Sequence, residues 1–147
     1  MSQALKSFDA EFTVRRFSDY PSWVRQDRKQ ITAAQAPFAV VGDFNGDGVL
    51  DVVIDGDNRV AGRRLAIMSS TQGFHVSEVE RESRQSPVLP GGVQVGLSLV
   101  RPGTVRSPHE KQTLRLRTDA FQVNYYESSA KILYYRDGAW HEYWTSD

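Results

Sequence analysis

The chain has 147 residues, 18 basic and 18 acidic side chains, and no cysteine, which suits one domain burying about two thirds of its unfolded surface and excludes a disulfide framework or a thiolate metal site. A sequence pI near 6.8 disfavours nucleic acid as a partner, because phosphate-binding domains are usually strongly basic. No apolar run approaches the roughly 20 residues that a membrane span requires.

In chain order, residues 11–17 open as a strand. Residues 22–36 carry the one convincing helical pattern: Pro21 and Ser22 mark its start, Trp23, Gln30, Ile31 and Ala34 form an approximate apolar stripe, and Pro37 closes it. Everything later reads as β. Phe38-Ala-Val-Val and Val49-Leu-Asp-Val-Val-Ile are short and β-branched, the composition of two strands joined by a loop. Leu65-Ala-Ile-Met and Phe74-His-Val pair around Thr71-Gln-Gly73, and residues 93–100 alternate before a turn at Arg101-Pro-Gly103. Residues 78–90 and 102–111 are polar enough to be exposed loops. Leu114-Arg-Leu-Arg and residues 121–126, 130–135 and 140–144 complete a run of strands. The pattern predicts a mostly β domain over residues 1–147. It is an antiparallel sheet structure, a propeller-like fragment or a small sandwich, with one short N-terminal helix.

The loop between the first two of these strands is the most specific feature. Asp43-Phe-Asn-Gly-Asp-Gly-Val-Leu-Asp51 places side-chain oxygens at positions 1, 3, 5 and 9 and a glycine at position 6. A hard cation such as Ca²⁺ takes six to eight oxygen ligands at roughly 2.3–2.6 Å, and alternate residues of a turning backbone can converge on it. Asp43, Asn45, Asp47 and Asp51 are expected to supply side chains and Val49 a carbonyl. Gly48 permits the sharp bend, because glycine takes positive φ without steric cost. An EF-hand demands a bidentate Glu at position 12, and Ile54 stands there. The alternative reading of the same residues is an Asx-rich turn without metal.

With strands on both flanks, residues 39–57 resemble the calcium loops of FG-GAP and VCBS-type repeats, the blades of integrin-like β-propellers, whose signature is Asp-x-Asp-x-Asp-Gly-x-x-Asp. Asn45 departs from it at the second acidic position and removes one formal charge. The resemblance implies Ca²⁺ as the bound metal. It does not imply a whole propeller, since one loop in this length cannot supply about four to eight blades. The chain as a whole resembles small exported bacterial proteins with a single such loop and a Tyr-rich, Trp-containing final strand pair, here ending Trp144-Thr-Ser-Asp147.

In that final pair Asp137-Gly138 forms a two-residue turn of the type I′ kind. Tyr135 then faces Trp140, Leu133 faces Glu142 and Lys131 faces Trp144, while Ile132, Tyr134, His141 and Tyr143 share the other face. The second set lacks a full charge, so Ile132, Tyr134 and Tyr143 are expected in the core and Tyr135, Trp140 and Trp144 partly outside. With Tyr126 they form an aromatic ladder suited to protein binding or to sugar stacking. The competing expectation is that both faces are covered, the outer one by the helix near Trp23.

Basic residues gather between 59 and 117, at Arg59, Arg63, Arg64, Arg81, Arg84, Arg101, Arg106, Lys111, Arg115 and Arg117. They suit an anionic partner or simply solvated strand faces. Catalytic signatures are missing from the sequence. His75, His109 and His141 lie apart, Ser98 lacks the second glycine of a nucleophile elbow, and no nucleotide-binding loop is present. The expectation is a non-enzymatic, calcium-stabilised protein-binding domain of the bacterial envelope. In its specific version it is an immunity or inhibitor protein against a cell-wall-targeting toxin. A carbohydrate-binding module using the exposed Trp and Tyr side chains is the alternative, and a hydrolase the minor one. Calcium loops of modest affinity fill where Ca²⁺ is on the order of 10⁻³ M, so the expected home is periplasmic or extracellular. Met1-Ser-Gln-Ala-Leu-Lys-Ser-Phe is not a signal peptide, so an export signal is expected to have been removed ahead of it.

Overall fold

The computed structural model describes residues 1–83 and 91–146. Residues 84–90 of the predicted loop at 78–90, Arg84 among them, and Asp147 lie outside these. The chain is mostly β, in antiparallel sheets, with few helices. A short N-terminal helix is present as expected, but as α1 (Ser2–Phe8), ahead of the residues where the pattern places one, and it is followed by the two-residue strand β1 (Thr13–Val14). The expected strand at 11–17 shrinks to these two residues, because Phe17–Asp19 turns into a 3₁₀ helix. Helix α2 (Ser22–Gln26) is far shorter than the 22–36 pattern. The Asp27 carboxylate accepts Lys29 N–H at 3.1 Å and tips the chain into a second 3₁₀ turn. The following residues then leave helix for strand β2 (Gln35–Ala36), which pairs with β3 (Ala39–Gly42).

After the calcium-like loop come β4 (Asp51–Asp57), β5 (Ala61–Ser70) and β6 (Gly73–Ser83). They form one sheet in the order β2-β3-β4-β5-β6, in which β1 lies along the same edge of β4 as β3. Strand β6 overturns the expected loop from residue 78: Glu78, Glu80 and Glu82 pair across to β5 as strand residues. The second sheet is β12-β11-β10-β7, built from β7 (Val95–Val100), β10 (Ala120–Tyr125), β11 (Ala130–Arg136) and β12 (Ala139–Ser146). Between β7 and β10 a two-stranded ribbon, β8 (Gly103–Val105) and β9 (Leu114–Leu116), replaces part of the expected loop at 102–111.

Strand alternation decides what each face buries. Val40, Val53 and Ala66 of the first sheet meet Val95, Leu97, Phe121, Val123 and Leu133 of the second, and Phe44 from the loop fills the space between them. That interface is the centre of a sandwich. The other face of the first sheet, Ile54, Leu65 and Ile67, is covered by Leu5 of α1 with Phe12 and Val14. The outer face of the second sheet, Ile132 and Tyr143, is covered by Leu114 and Leu116 of the ribbon. Helix α2 contributes Val24 to a small cluster with Tyr20 and Val93.

A second, polar layer continues the core between the sheets. Arg64 on β5, 1% exposed, stands 3.3 Å from Asp55 and 3.6 Å from Glu80. Glu80 in turn receives Lys131 Nζ of the second sheet at 2.6 Å and the Tyr125 hydroxyl. Asp55 also accepts from the Tyr20 hydroxyl at 3.3 Å and lies 3.7 Å from Arg15. Burial pushes the Asp55 carboxyl up to about 6 even with Arg64 and Arg15 beside it. Burial, reinforced by Glu80, raises the Tyr125 phenol to about 12.

Candidate functional site

The loop from Asp43 to Asp51 is shaped by its own side chains. The Asp43 carboxylate accepts from Gly46 N–H at 2.8 Å and Asp47 N–H at 3.1 Å through one oxygen, and from Gly48 N–H at 2.9 Å through the other. Asn45 Oδ1 accepts Asp47 N–H at 3.0 Å, and Asp47 Oδ1 accepts Val49 N–H at 2.8 Å. Gly48 has φ 83°, the conformation its place at position 6 requires. Backbone donors therefore fix the orientation of these side chains, although Asn45 and Asp47 remain exposed.

Asp51 closes the loop from inside the protein. It is fully buried; its oxygens accept Ser69 N–H of β5 at 2.9 Å and Phe44 N–H at 3.1 Å. Burial pushes its carboxyl above the ordinary value, the two backbone donors oppose this, and the nearby Asp47 and Asp43 charges raise it further. None of the three aspartates has an ion pair among the described residues. The donor set thus fits a hard cation in chemistry: oxygen only, negative, partly withdrawn from water, and lacking a neutralising base. It is not a ready-made cluster, since among the described residues no three His, Cys, Asp or Glu side chains are grouped as a metal site. Asp43, Asn45, Asp47 and Asp51 with the Val49 carbonyl would hold the ion, and the ion's contribution would be to cancel their mutual repulsion.

What holds the loop in place comes from a segment 74–76 residues away. Asp43 N–H donates to Asp119 Oδ2 at 3.0 Å, Asp119 N–H returns to the Asp43 carbonyl at 3.2 Å, and the Thr118 hydroxyl donates to the Phe44 carbonyl at 3.0 Å. Thr118 and Asp119 lie between β9 and β10, so the loop is clasped to the second sheet although it belongs to the first. The only local hint was a Thr-Asp pair immediately before a strand.

The aromatic residues follow the predicted register, and the face they form packs against the rest of the protein. Pairs Tyr135↔Trp140, Leu133↔Glu142 and Lys131↔Trp144 form as expected around a turn with φ 53° at Asp137 and 78° at Gly138. Yet both faces of the hairpin are covered. Trp140 packs 5.4 Å from Phe121 and 5.9 Å from Phe44, with Tyr135 edge-on against it. Trp144 stacks on Tyr125 at 6.4 Å and carries Lys131 Nζ over its ring. The cover is the calcium-like loop and the first sheet, not the helix near Trp23, which instead meets Tyr126 edge-on at 4.9 Å. Tyr126, Tyr135, Trp140 and Trp144 are all half-buried, while the aromatic rings that stand well into solvent are Trp23, Phe74 and Phe8. Tyr134 and His141 stack at 5.4 Å on the ribbon side of the sheet.

The basic residues between 59 and 117, with Arg15 and Arg136, include two populations. Arg15, Arg63, Arg64, Arg81 and Arg101 are neutralised by carboxylates. Arg106, Lys111, Arg115, Arg117 and Arg136 have no carboxylate partner among the described residues. Among the described residues no helix is long and apolar enough to cross a membrane. A scan against family models finds no match, and searches of curated proteins and of solved structures find no protein similar to this chain.

Proposed function

We propose that the chain is a non-catalytic domain that binds Ca²⁺ at Asp43, Asn45, Asp47, Val49 and Asp51 and, so stabilised, holds another protein in the periplasm or outside the cell. In its specific version the partner is a toxin that cuts the cell wall, and this chain is the inhibitor. The observation that carries the metal part is Asp51: a carboxylate buried at 0% exposure, beside two further aspartates and without a counter-charge among the described residues. Such a group is costly unless a cation compensates it. The same carboxylate bonds Ser69 of β5 and Phe44 of the core, so an ion held there would tie the loop to the first sheet.

Protein binding is favoured over sugar binding by the packing of the aromatic ladder. A stacking platform needs open ring faces, whereas Trp140 is wedged among Phe44, Phe121 and Tyr135, and Trp144 is backed by Tyr125. Calorimetric titration of the metal-stripped chain with CaCl₂ tests the first part, and no heat together with an unchanged melting temperature would sink it. Purification from envelope extracts in Ca²⁺, set beside a glycan array, tests the second. A saturable glycan, lost in Trp144→Ala and accompanied by no protein partner, would reverse the ranking.

A further inference from the structure

The ribbon side of the second sheet carries an open cleft of about 550 Å³ between residues 109–115 and the end of the β11–β12 hairpin. Its lining includes Lys111, Arg115, Tyr134 and Arg136, with Glu110 and Glu142. The three cations have no carboxylate partner among the described residues, and Arg106 and Arg117, also unpaired, flank the same strands. The two acids are already engaged: Glu142 pairs with Lys131 at 3.0 Å, and Glu110 Oε1 accepts Trp144 N–H at 3.1 Å. Lys131 offsets the Glu142 charge and Trp144 N–H occupies one Glu110 oxygen, so the cleft keeps an excess of positive charge: three cations against the Glu110 carboxylate.

Arg136 is also held ready. Its guanidinium lies 5.1 Å from the Tyr134 ring centre and donates from Nη2 to the Arg115 carbonyl at 2.6 Å. An arginine has five N–H donors in a rigid fork, so most remain for a ligand, and part of the side-chain entropy that binding would cost is already spent. We propose that this cleft receives carboxylate side chains of an acidic peptide segment on the partner protein, with Arg115 and Arg136 as the principal contacts and Lys111 as a further charge. The proposal rests on the protein-binding reading above and names the chemistry of the partner's docking segment.

The cleft's rings explain the choice of peptide over acidic glycan. Tyr134 is occupied by His141 and Arg136, and Tyr143 is buried with its hydroxyl donating to the Gln112 carbonyl at 2.8 Å. Recognition here is by charge-assisted, bidentate hydrogen bonds with little ring face left for a sugar.

The test is fluorescence anisotropy of a labelled oligo-glutamate of about ten residues against the intact chain in Ca²⁺, with oligo-lysine and oligogalacturonate as comparisons, at low and moderate salt. Oligo-glutamate should bind, weaken with salt, and lose about five- to tenfold in affinity in each of Arg115→Gln and Arg136→Gln. Arg25→Gln, which removes an unpaired cation from α2, should leave binding unchanged. Arg115 is exposed, so its variant remains informative if Arg136→Gln disturbs the Tyr134 stack. No oligo-glutamate binding, equal loss in Arg25→Gln, no loss in Arg115→Gln, or tighter binding of oligogalacturonate would each overturn the proposal. A calcium response and a captured protein partner that survive such a result would leave the broader reading standing, while a missing calcium response with intact oligo-glutamate binding would sink only the metal.

Discussion

Asp51→Asn separates the two contributions of the loop. In metal-free protein the substitution keeps one acceptor and replaces the other oxygen with an amide NH₂. One of the two buried donors, Ser69 N–H or Phe44 N–H, then faces a donor. An unsatisfied buried N–H costs about 1–3 kcal/mol. Removing the charge works the other way, since burial and the nearby Asp47 and Asp43 disfavour the ionised form. In chelator the variant should therefore lose no more than about 2 kcal/mol. Calcium supplies the discriminating measurement. For a dissociation constant on the order of 10 μM and about 1 mM Ca²⁺, mass action stabilises the native chain by about 2.7 kcal/mol. For a domain of this size that is a rise of roughly 5–10 °C in melting temperature. Calorimetric scans in CaCl₂ and in EGTA should show this rise for the unsubstituted chain and a rise of less than about 2 °C for Asp51→Asn. A full calcium response in the variant, or none in the original, would refute the reasoning.

Three further outcomes follow from the packing. Phe44→Ala empties the space between Phe121 and Trp140 and should cost about 3–5 kcal/mol in urea unfolding; a loss under about 1 kcal/mol would mean that the loop is not part of the core. Arg64→Ala leaves Asp55 and Glu80 buried without their shared cation and should cost about 3–5 kcal/mol, whereas Arg64→Met should cost clearly less only when combined with Asp55→Asn. Asp55 should also shape pH dependence. Its folded-state pKa, about 6, lies above the ordinary 3.8, so its stabilising contribution is complete below the unfolded value and is lost as pH rises through about 6. From about pH 4 to about pH 7.5 the original chain should lose on the order of 3 kcal/mol relative to Asp55→Asn. A gap in urea stability that stays constant with pH, or widens the other way, would contradict this.

What could be read in advance was what local chemistry fixes. The Asp137-Gly138 turn sets the register of the last hairpin, because only a loop with two positive φ values suits the strand twist, and every cross-strand pair from residue 131 to residue 144 falls where the turn puts it. The Asx-rich loop likewise carries its own hydrogen bonds within a few residues. The helical pattern at 22–36 is realised only over Ser22–Gln26, because a stripe of four residues says nothing about competition from a neighbouring strand. The 35–36 segment gains sheet hydrogen bonds with β3 that a helix in isolation cannot offer.

Charge was misread for a different reason. Glu78, Glu80 and Glu82 in a row with Arg81 look like a solvated loop, because polarity along the chain reports exposure only when partners are far away. In the folded chain Arg63 and Arg64 on β5 stand opposite this segment, and their guanidiniums together with Lys131 meet its carboxylates. All three acids become strand residues with a cation on a neighbouring strand, Glu80 buried between the sheets and Glu82 at the exposed end of the row. The pairing is between positions 15 to 51 residues apart in sequence, and no local pattern encodes it. The same non-locality explains Asp119, whose link to Asp43 exists only once the two sheets have met. It also explains the cleft: Arg115 and Arg136 become one surface only through the stacking of the ribbon on the sheet. A cation without a carboxylate partner among the described residues, in a fold that neutralises Arg63 and Arg64, is informative in a way that a basic residue in a sequence is not, because it is a property of the folded surface.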